Sequence, residues 1–262
     1  MTTGIGLLMA WLCLLAAIVM DGASLSSFMK LSPAILVFGG TFGATMAGFP
    51  MKEIKELPKK LAIAFSLKKH DYEGIIKKLV QFALVSRRDG VLALEDEIEK
   101  LNDDFMKKGL QMAVDGVDLE RVRDTLETDL QSLAHWYKGG EEFFKALGGF
   151  SPTLGIIGTV LGLIMMLSEL ENSENMGEAI ASAFIATMYG VSLANLVYLP
   201  LGNKIKSACA EDMLEKRIVL EGLAGLVAGI TPRLIEQTLV SYLYPEKVSS
   251  AEEGKAGAAK KG

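Results

Sequence analysis

Four stretches without a single charged residue or histidine most constrain the fold of this chain. They cover residues 1–20, 31–51, 146–168 and 179–203. A helix of roughly 20 apolar residues crosses the hydrocarbon core of a membrane and satisfies its own backbone hydrogen bonds there. A membrane-spanning barrel would instead show short segments of alternating polarity, which these stretches lack. The sequence therefore predicts an all-α integral membrane protein with four transmembrane helices.

The spacing of these stretches predicts two membrane hairpins separated by a long polar segment. Apolar residues in the polar segment recur at helical spacing, and no strand pattern occurs there. The predicted regions, in chain order, are a first hairpin at 1–51 with spans at about 3–20 and 31–50, a large helical cytoplasmic domain at 52–145, a second hairpin at 146–203 with spans at about 147–168 and 179–202, C-terminal cytoplasmic helices at 204–245 and a disordered tail at 246–262.

The two later spans are expected to belong to longer helices. Asp118 is a suitable N-cap for a helix that begins at Leu119 and runs into the third span, with Gly139-Gly140 and Gly148-Gly149 as soft points. The fourth span is expected to continue through Arg217. Residues 222–232 are apolar but too short to cross a membrane, which predicts a packed or interfacial helix there.

Positive charge predicts the orientation in the membrane. Of the 27 Lys and Arg residues, Lys30 is the one that lies in a connection within a hairpin. Because segments rich in Lys and Arg stay on the cytoplasmic side, we expect a multi-pass protein with both termini and residues 52–145 in the cytoplasm.

Several classes of function are excluded by composition and motifs. A net charge of −5 gives no reason to expect nucleic acid binding. Cys13 and Cys209 cannot form a disulfide framework, and His70 and His135 lack metal-ligand spacing, so both histidines are expected at the surface. No phosphate-binding loop, nucleophile elbow or HExxH motif occurs. The sequence predicts no enzyme, no cofactor and no metal site.

Small residues recur in the third and fourth spans at intervals that place them on one helix face. Such residues let membrane helices approach closely, so helix packing is their predicted role. They are Gly155, Gly158, Gly162, Ala183 and Gly190.

Two prolines and two threonines in the same spans have two interpretations each. Pro152 and Pro200 lie near the predicted cytoplasmic ends, where a proline either ends a helix or bends it. Thr159 and Thr187 are the deepest polar groups, and their hydroxyls either bond to their own helix or line a water-filled path. Ion-translocating proteins normally place an ionisable group inside the membrane. Since the four spans have none, a partner subunit has to supply it if this chain conducts ions.

A charged segment, RRDGVLALE, follows in the polar region. Arg87 and Arg88 precede a break at Gly90, and Glu95 comes after it. A helix end and a solvated helix face would explain a generic run of charges, but the sequence of this one is more specific than that.

At these residues the chain resembles the flagellar stator A subunit, the MotA/PomA family. The resemblance covers nearly all residues up to about 245 and rests on RRDGVLALE, FMKKGLQMAVDGVD, SPTLGIIGTVLGLI, the fourth-span run ending in YLPLGNKI, and GITPRLIEQTL. The family implies a homopentameric ring of A subunits around two single-span B subunits of the MotB/PomB type, in the bacterial cytoplasmic (inner) membrane. Protons or sodium ions passing an aspartate of the B subunit turn the ring, which pushes a rotor switch protein of the FliG type.

The resemblance also implies roles for individual residues. The matched groups are Arg87 and Glu95 with the auxiliary Arg88 as torque residues at the rotor interface, Thr159 and Thr187 in the ion path, and Pro152 and Pro200 in coupling ion passage to movement. The hydroxyl at position 159 resembles the sodium-driven branch, because oxygen ligands suit a hard cation. Protons and sodium both remain open.

Three other functions compete with this interpretation. The related ExbB/TolQ group uses proton flow to energise outer-membrane processes, but it has three spans and an N-terminus outside the cytoplasm. A permease would place polar substrate groups near the membrane midplane and would show inverted repeats, neither of which occurs here. A structural scaffold would leave the threonines, the prolines and the charged segment unexplained.

Overall fold

The computed structural model describes residues 2–65, 70–168 and 173–243, and this part of the chain contains helices and no β-strand. The α-helices are α1 (Thr2–Met20), α2 (Leu31–Ala34), α3 (Gly40–Ala47), α4 (Met51–Phe65), α5 (Tyr72–Asp89), α6 (Glu95–Ile98), α7 (Asp104–Val114), α8 (Leu119–Ser168), α9 (Ser173–Leu193), α10 (Leu199–Val227) and α11 (Pro232–Val240). Two 3₁₀ turns lie at Leu25–Phe28 and Val91–Leu94, and two π-helical turns at Ile35–Gly39 and Ala194–Tyr198. The predicted tail at 246–262 lies outside the described residues.

The chain divides into two compact units. The first unit comprises Met1–Leu67 and Trp136–Ala208, and the second comprises Lys68–His135 and Cys209–Gly262. Helices α8 and α10 each contribute residues to both. The predicted helix from Leu119 into the third span is confirmed, and Asp118 caps it as expected by accepting from the Arg121 N–H at 2.9 Å.

Among the described residues, three helices are long and apolar enough to cross a membrane, and they are Thr3–Met20, Leu119–Ser168 and Met176–Val227. The apolar segment Leu31–Ala47 is shorter. At its end, the Gly48 N–H donates to the Thr45 carbonyl. A new helix starts after Pro50, which has no N–H with which to continue the preceding helix. The predicted number of four spans therefore stays a prediction.

The π-helical turns were not foreseen from the sequence, and one has an evident cause. Pro200 is the second residue of α10 and cannot donate to the carbonyl four residues earlier. The turn Ala194–Tyr198 directly precedes it, and there the Leu199 N–H donates to Ala194 O, five residues back. The wider turn accommodates the proline without breaking the helix.

The second unit has its own apolar core, built from α5, α7, α11 and the parts of α8 and α10 that belong to it. Its most deeply buried side chains are Leu79, Leu94, Leu110, Val122, Leu126, Leu130, Ile218, Val219, Leu220, Leu223, Ile235 and Leu239. The helices that continue from the third and fourth predicted spans thus supply much of this core. Burial of these side chains is the main stabilising contribution to the unit.

The structure differs from two local expectations. The helix predicted over 222–232 is wrong, because α10 ends at Val227, Gly229 adopts a φ of 68°, and α11 begins at Pro232. Helix α8 runs through both glycine pairs without interruption. Gly140 instead faces the Lys60 side chain and Gly148 faces that of Leu199, and a Cβ at either glycine would collide with the facing side chain.

Candidate functional site

The two threonines predicted for the ion path meet between α8 and α9. Thr159 Oγ1 and Thr187 Oγ1 are hydrogen-bonded to each other. Thr159 Oγ1 also lies 3.2 Å from the carbonyl oxygens of both Gly155 and Ala183, and Thr187 Oγ1 lies 3.3 Å from that of Gly155. Four oxygen atoms therefore converge on a half-buried spot inside two apolar helices.

Small residues make this approach possible, and the structure brings all five of the predicted ones to the α8–α9 contact. Each of Gly155, Gly158, Gly162, Ala183 and Gly190 is buried. A Cβ added at Gly155 would lie 2.9 Å from Ala186 O, and one at Gly190 would lie 2.5 Å from Ser151 O. Larger residues at these positions would force the helices apart, and with them the two threonines.

The two prolines occupy different settings. Pro152 lies inside α8, so the Gly148 carbonyl loses its normal helical donor. Beside it, the fully buried Ser151 donates its hydroxyl hydrogen to Gly190 O at 3.0 Å, which ties α8 to α9 at this level. Pro200 follows the second π-helical turn at the start of α10.

The charged segment of the second unit forms an exposed corner. Arg87 and Arg88 end α5, Gly90 turns the chain with a φ of 88°, and Glu95 begins α6 after one 3₁₀ turn. Arg88 bonds to Asp89, which raises the pKa of the guanidinium and lowers that of the carboxyl. Neither Arg87 nor Glu95 makes an ion pair within the described part of the chain, so both charges face outward.

Several polar groups are buried by helices that are distant along the chain, and their burial was not predicted from the sequence. Lys60 is completely buried in the first unit, 2.5 Å from Glu53 and 5.2 Å from the centre of the Trp136 ring. In the second unit, Lys216 bonds to Asp103 at 2.7 Å. No local motif signals such contacts, because helical spacing shows only which face of each helix is polar.

His70 is a further correction. Its side chain is only 11% exposed, so the predicted surface position is wrong. It packs beside Asp212 and Glu215 of α10, which the sequence separates from it by the whole length of α8. His135 is exposed, as predicted.

Comparison with known proteins decides the family. The model of the motility protein A N-terminal region matches residues 4–90, and that of the MotA/TolQ/ExbB proton channel family matches residues 97–218. The chain is 34% identical to Motility protein A of Bacillus subtilis over 257 residues, which cover 97% of this chain and 95% of that protein. This chain belongs to the motility protein A family.

Other motility protein A relatives and solved structures agree. Chemotaxis protein PomA of Vibrio alginolyticus is 32% identical over 94% of this chain and 96% of its own length. The structure of C. jejuni MotAB matches with a TM-score of 0.87 at 29% identity, and the flagellar MotAB stator complex from Bacillus subtilis with 0.86 at 34%. Both cover 93% of this chain and 96% of the matched chain. The all-helical fold and the family implied by the sequence are confirmed.

Proposed function

We propose that this chain is the ion-conducting A subunit of a flagellar motor stator. Together with a B subunit, it couples the flow of protons or sodium ions across the membrane to rotation of an A ring and torque on the rotor. The observation that carries the proposal is the likeness to the flagellar stator complex of Bacillus subtilis over 93% of the chain. The match of residues 4–90 to the motility protein A model favours a stator over an ExbB-like transport motor.

The proposed topology has four spans, with both termini, the domain at 52–145 and the helices at 204–245 in the cytoplasm. A direct contact supports it. Lys30, the one basic residue in a hairpin connection, lies 2.5 Å from Glu178 at the end of the other connection. The two connections therefore meet, as they do when both hairpins enter the bacterial inner membrane from the same side.

The proposed ion path runs past the Thr159–Thr187 pair. Each hydroxyl carries one hydrogen and two lone pairs, and the Gly155 and Ala183 carbonyls add acceptors without donors. Such a cluster solvates a cation or orders water, but it has no group that takes up a proton. An aspartate on the B subunit supplies that group, and oxygen ligands of this kind favour sodium.

The proposed partners follow from this arrangement. Five copies of this chain form a ring around a B dimer of the MotB/PomB type, and a rotor switch protein of the FliG type meets the exposed corner formed by Arg87, Arg88 and Glu95. Exposed, outward-facing charges speed encounter and set register more than they raise affinity. Contacts of that kind suit a drive that engages and releases at each step.

The proposed coupling residues are Pro152 and Pro200. Pro152 leaves one backbone carbonyl of α8 without its helical donor, and Pro200 is accommodated by a π-helical turn. Both positions lack one hydrogen bond that would stiffen a regular helix, so they are the places where ion passage can bend α8 and α10.

Swimming rescue tests the proposal. The chain and its cognate B subunit are expressed in a bacterium without stators, in matched sodium and sodium-free potassium media. We expect rescue, in both media if protons drive the motor and only with sodium if sodium drives it. An assembled membrane complex that restores swimming in neither medium, even with the cognate rotor switch protein, would contradict the stator assignment.

A further inference from the structure

The second unit contains a cluster of metal-ligating side chains unrelated to the threonines or the charged corner. His70 lies just before α5, and Asp212 and Glu215 lie one turn apart on α10. One ligand atom from each comes within 4.8 Å of the other two. The side chains are 11%, 15% and 9% exposed, so the cluster is largely shielded from bulk water.

The imidazole of His70 is held between two carboxylates. Its Nδ1 lies 2.5 Å from Glu215 Oε2, and its Nε2 lies 3.8 Å from Asp212 Oδ1. The imidazole ring stacks on the Tyr72 ring, with 5.7 Å between the ring centres and 11° between the ring planes. The Tyr72 hydroxyl in turn donates to Glu211, so the histidine has a fixed orientation before any ligand arrives.

The charge around the ring is suited to a cation. Glu211, Asp212 and Glu215 lie on one stretch of α10. Lys216 is 4.0 Å from Glu215 Oε1, but it bonds more closely to Asp103 at 2.7 Å. A cation bound beside the imidazole is attracted by the negative charges of Asp212 and Glu215.

We propose that His70, Asp212 and Glu215 bind one divalent transition-metal ion, Zn²⁺ being the best fit. Zinc accepts imidazole nitrogen and carboxylate oxygen at about 2.0–2.2 Å, with three protein ligands and a water in open sites. One ligand atom from each of the three residues lies within 4.8 Å of the other two. Tetrahedral ligands at about 2.0–2.2 Å from an ion stand about 3.3–3.6 Å apart, so small side-chain rotations bring one nitrogen of His70 and both carboxylates onto one ion. The ion takes the place of the hydrogen shared by His70 and Glu215 and joins the start of α5 to α10.

Metal content of the intact complex tests the site. The full chain is purified with its B subunit, stripped with a chelator and equilibrated with Zn²⁺ before elemental analysis. We expect His70→Gln and Asp212→Asn each to lose one Zn²⁺ per chain at limiting metal, and to weaken binding about tenfold or more. The matched control is His135→Gln, which removes the only other histidine of the chain from an exposed position and leaves binding unchanged.

Every variant is purified with the same B subunit, so any metal that the B subunit holds contributes equally to each sample and drops out of the comparison. A second readout is the visible absorption of bound Co²⁺, which we expect in wild type and in His135→Gln but not in His70→Gln. Gel filtration checks assembly, and Asp212→Asn serves if His70→Gln does not assemble. Zn²⁺ binding that is the same in wild type, His70→Gln and Asp212→Asn, or that falls equally in His135→Gln, would overturn the proposal.

Discussion

The Thr159 hydroxyl has more acceptors within reach than it has hydrogens to donate. Three oxygen atoms lie close to it, and it can donate to only one at a time. Back-bonding to Gly155, the plain alternative to an ion path, is present in the structure. The added contacts to Ala183 and Thr187 of α9 are what back-bonding alone does not explain.

Removing this hydroxyl separates packing from conduction. Thr159→Val keeps the branched shape and loses the oxygen, whereas Thr159→Ser keeps the oxygen. We expect the valine variant to assemble, at a cost near the value of one net hydrogen bond, about 1 kcal/mol, and to lose most ion-driven swimming. The serine variant should retain it. Swimming speed measures ion-driven motility, and gel filtration measures assembly. Equal swimming of the two variants would contradict the ion-path role.

Charge reversal at the exposed corner addresses torque. We expect Arg87→Glu or Glu95→Lys to impair swimming while insertion and ring assembly remain normal, because both side chains are exposed and lack ion-pair partners among the described residues. Arg121→Glu is a matched control, since Arg121 is also an exposed arginine of the second unit. Motility plates and native gels provide the measurements. Loss of assembly in the two corner variants would overturn the assignment.

At the scale of elements, the closeness of α8 and α9 depends on the absence of side chains. Gly158 faces the Ala186 side chain, where an added Cβ would lie 2.5 Å from it, whereas an added Cβ at Gly149 meets nothing within 4 Å. The two glycines lie in the same helix, so they form a matched pair for substitution.

We expect Gly149→Ala to be neutral or to stabilise the protein by up to about 1 kcal/mol, the ordinary gain of alanine over glycine in a helix. Gly158→Ala should destabilise by about 1–3 kcal/mol, because the new methyl group overpacks the contact. Thermal unfolding of the detergent-solubilised complex measures the difference. Equal stability of the two variants would show that α8 and α9 are not held this tightly.

Asp103 stabilises the start of helix α7 in two ways. Asp103 accepts from the backbone N–H groups of Phe105 and Met106 at 3.0 Å and bonds to Lys216. Burial, the largest single effect, raises the pKa of this carboxyl, but Lys216 and the two backbone donors together lower it below its usual value. The depressed pKa means that the charged form is favoured by folding.

The stabilisation from Asp103 is therefore complete above the pKa of the unfolded chain, about 3.9, and is lost as the pH falls through the lower folded value. At neutral pH we expect Asp103→Asn to keep the cap and lose the ion pair, and Asp103→Ala to cost about 1 kcal/mol more. Asp118→Asn, at a cap without a lysine, is the control. Unfolding midpoints that rank asparagine no better than alanine at position 103 would be inconsistent with the cap.

The long helices show what could be predicted from the sequence. A capping residue precedes Leu119, and the residues from Leu119 to Ser168 contain one proline, near the start of the predicted span. A single long helix therefore follows from local signals. The His70 cluster and the burial of Lys60 beside Trp136 could not be foreseen, because Asp212, Glu215 and Trp136 approach only when distant helices pack. The second π-helical turn reflects a backbone adjustment to Pro200 that side-chain patterns do not encode.

For the whole molecule, the contact of Lys30 with Glu178 leads to a topology prediction. We expect a cysteine placed at Ser26 in a Cys13→Ser, Cys209→Ser background to react with a membrane-impermeant maleimide in intact cells. A cysteine at Arg121 in the same background should react only after the membrane is opened. Labelling of Arg121→Cys but not of the cysteine at position 26 in intact cells would reverse the orientation. Labelling of both positions from the same side would contradict the second predicted span, which separates them.

The π-helical turn before Pro200 has a consequence for how this chain tolerates changes of length. Such a turn holds one more residue than the α-helical geometry around it requires. Deletion of a single residue within Ala194–Tyr198 would restore a regular helix at that point and leave the orientation of the next residues nearly unchanged, because four α-helical residues turn the chain about as far as the five residues of the wider turn. Leu201 and Ile205, both buried, would keep their present neighbours. The same deletion in a regular part of the helix would rotate the residues that follow by about 100° about its axis, so this turn is the place where the helix tolerates the loss of a residue.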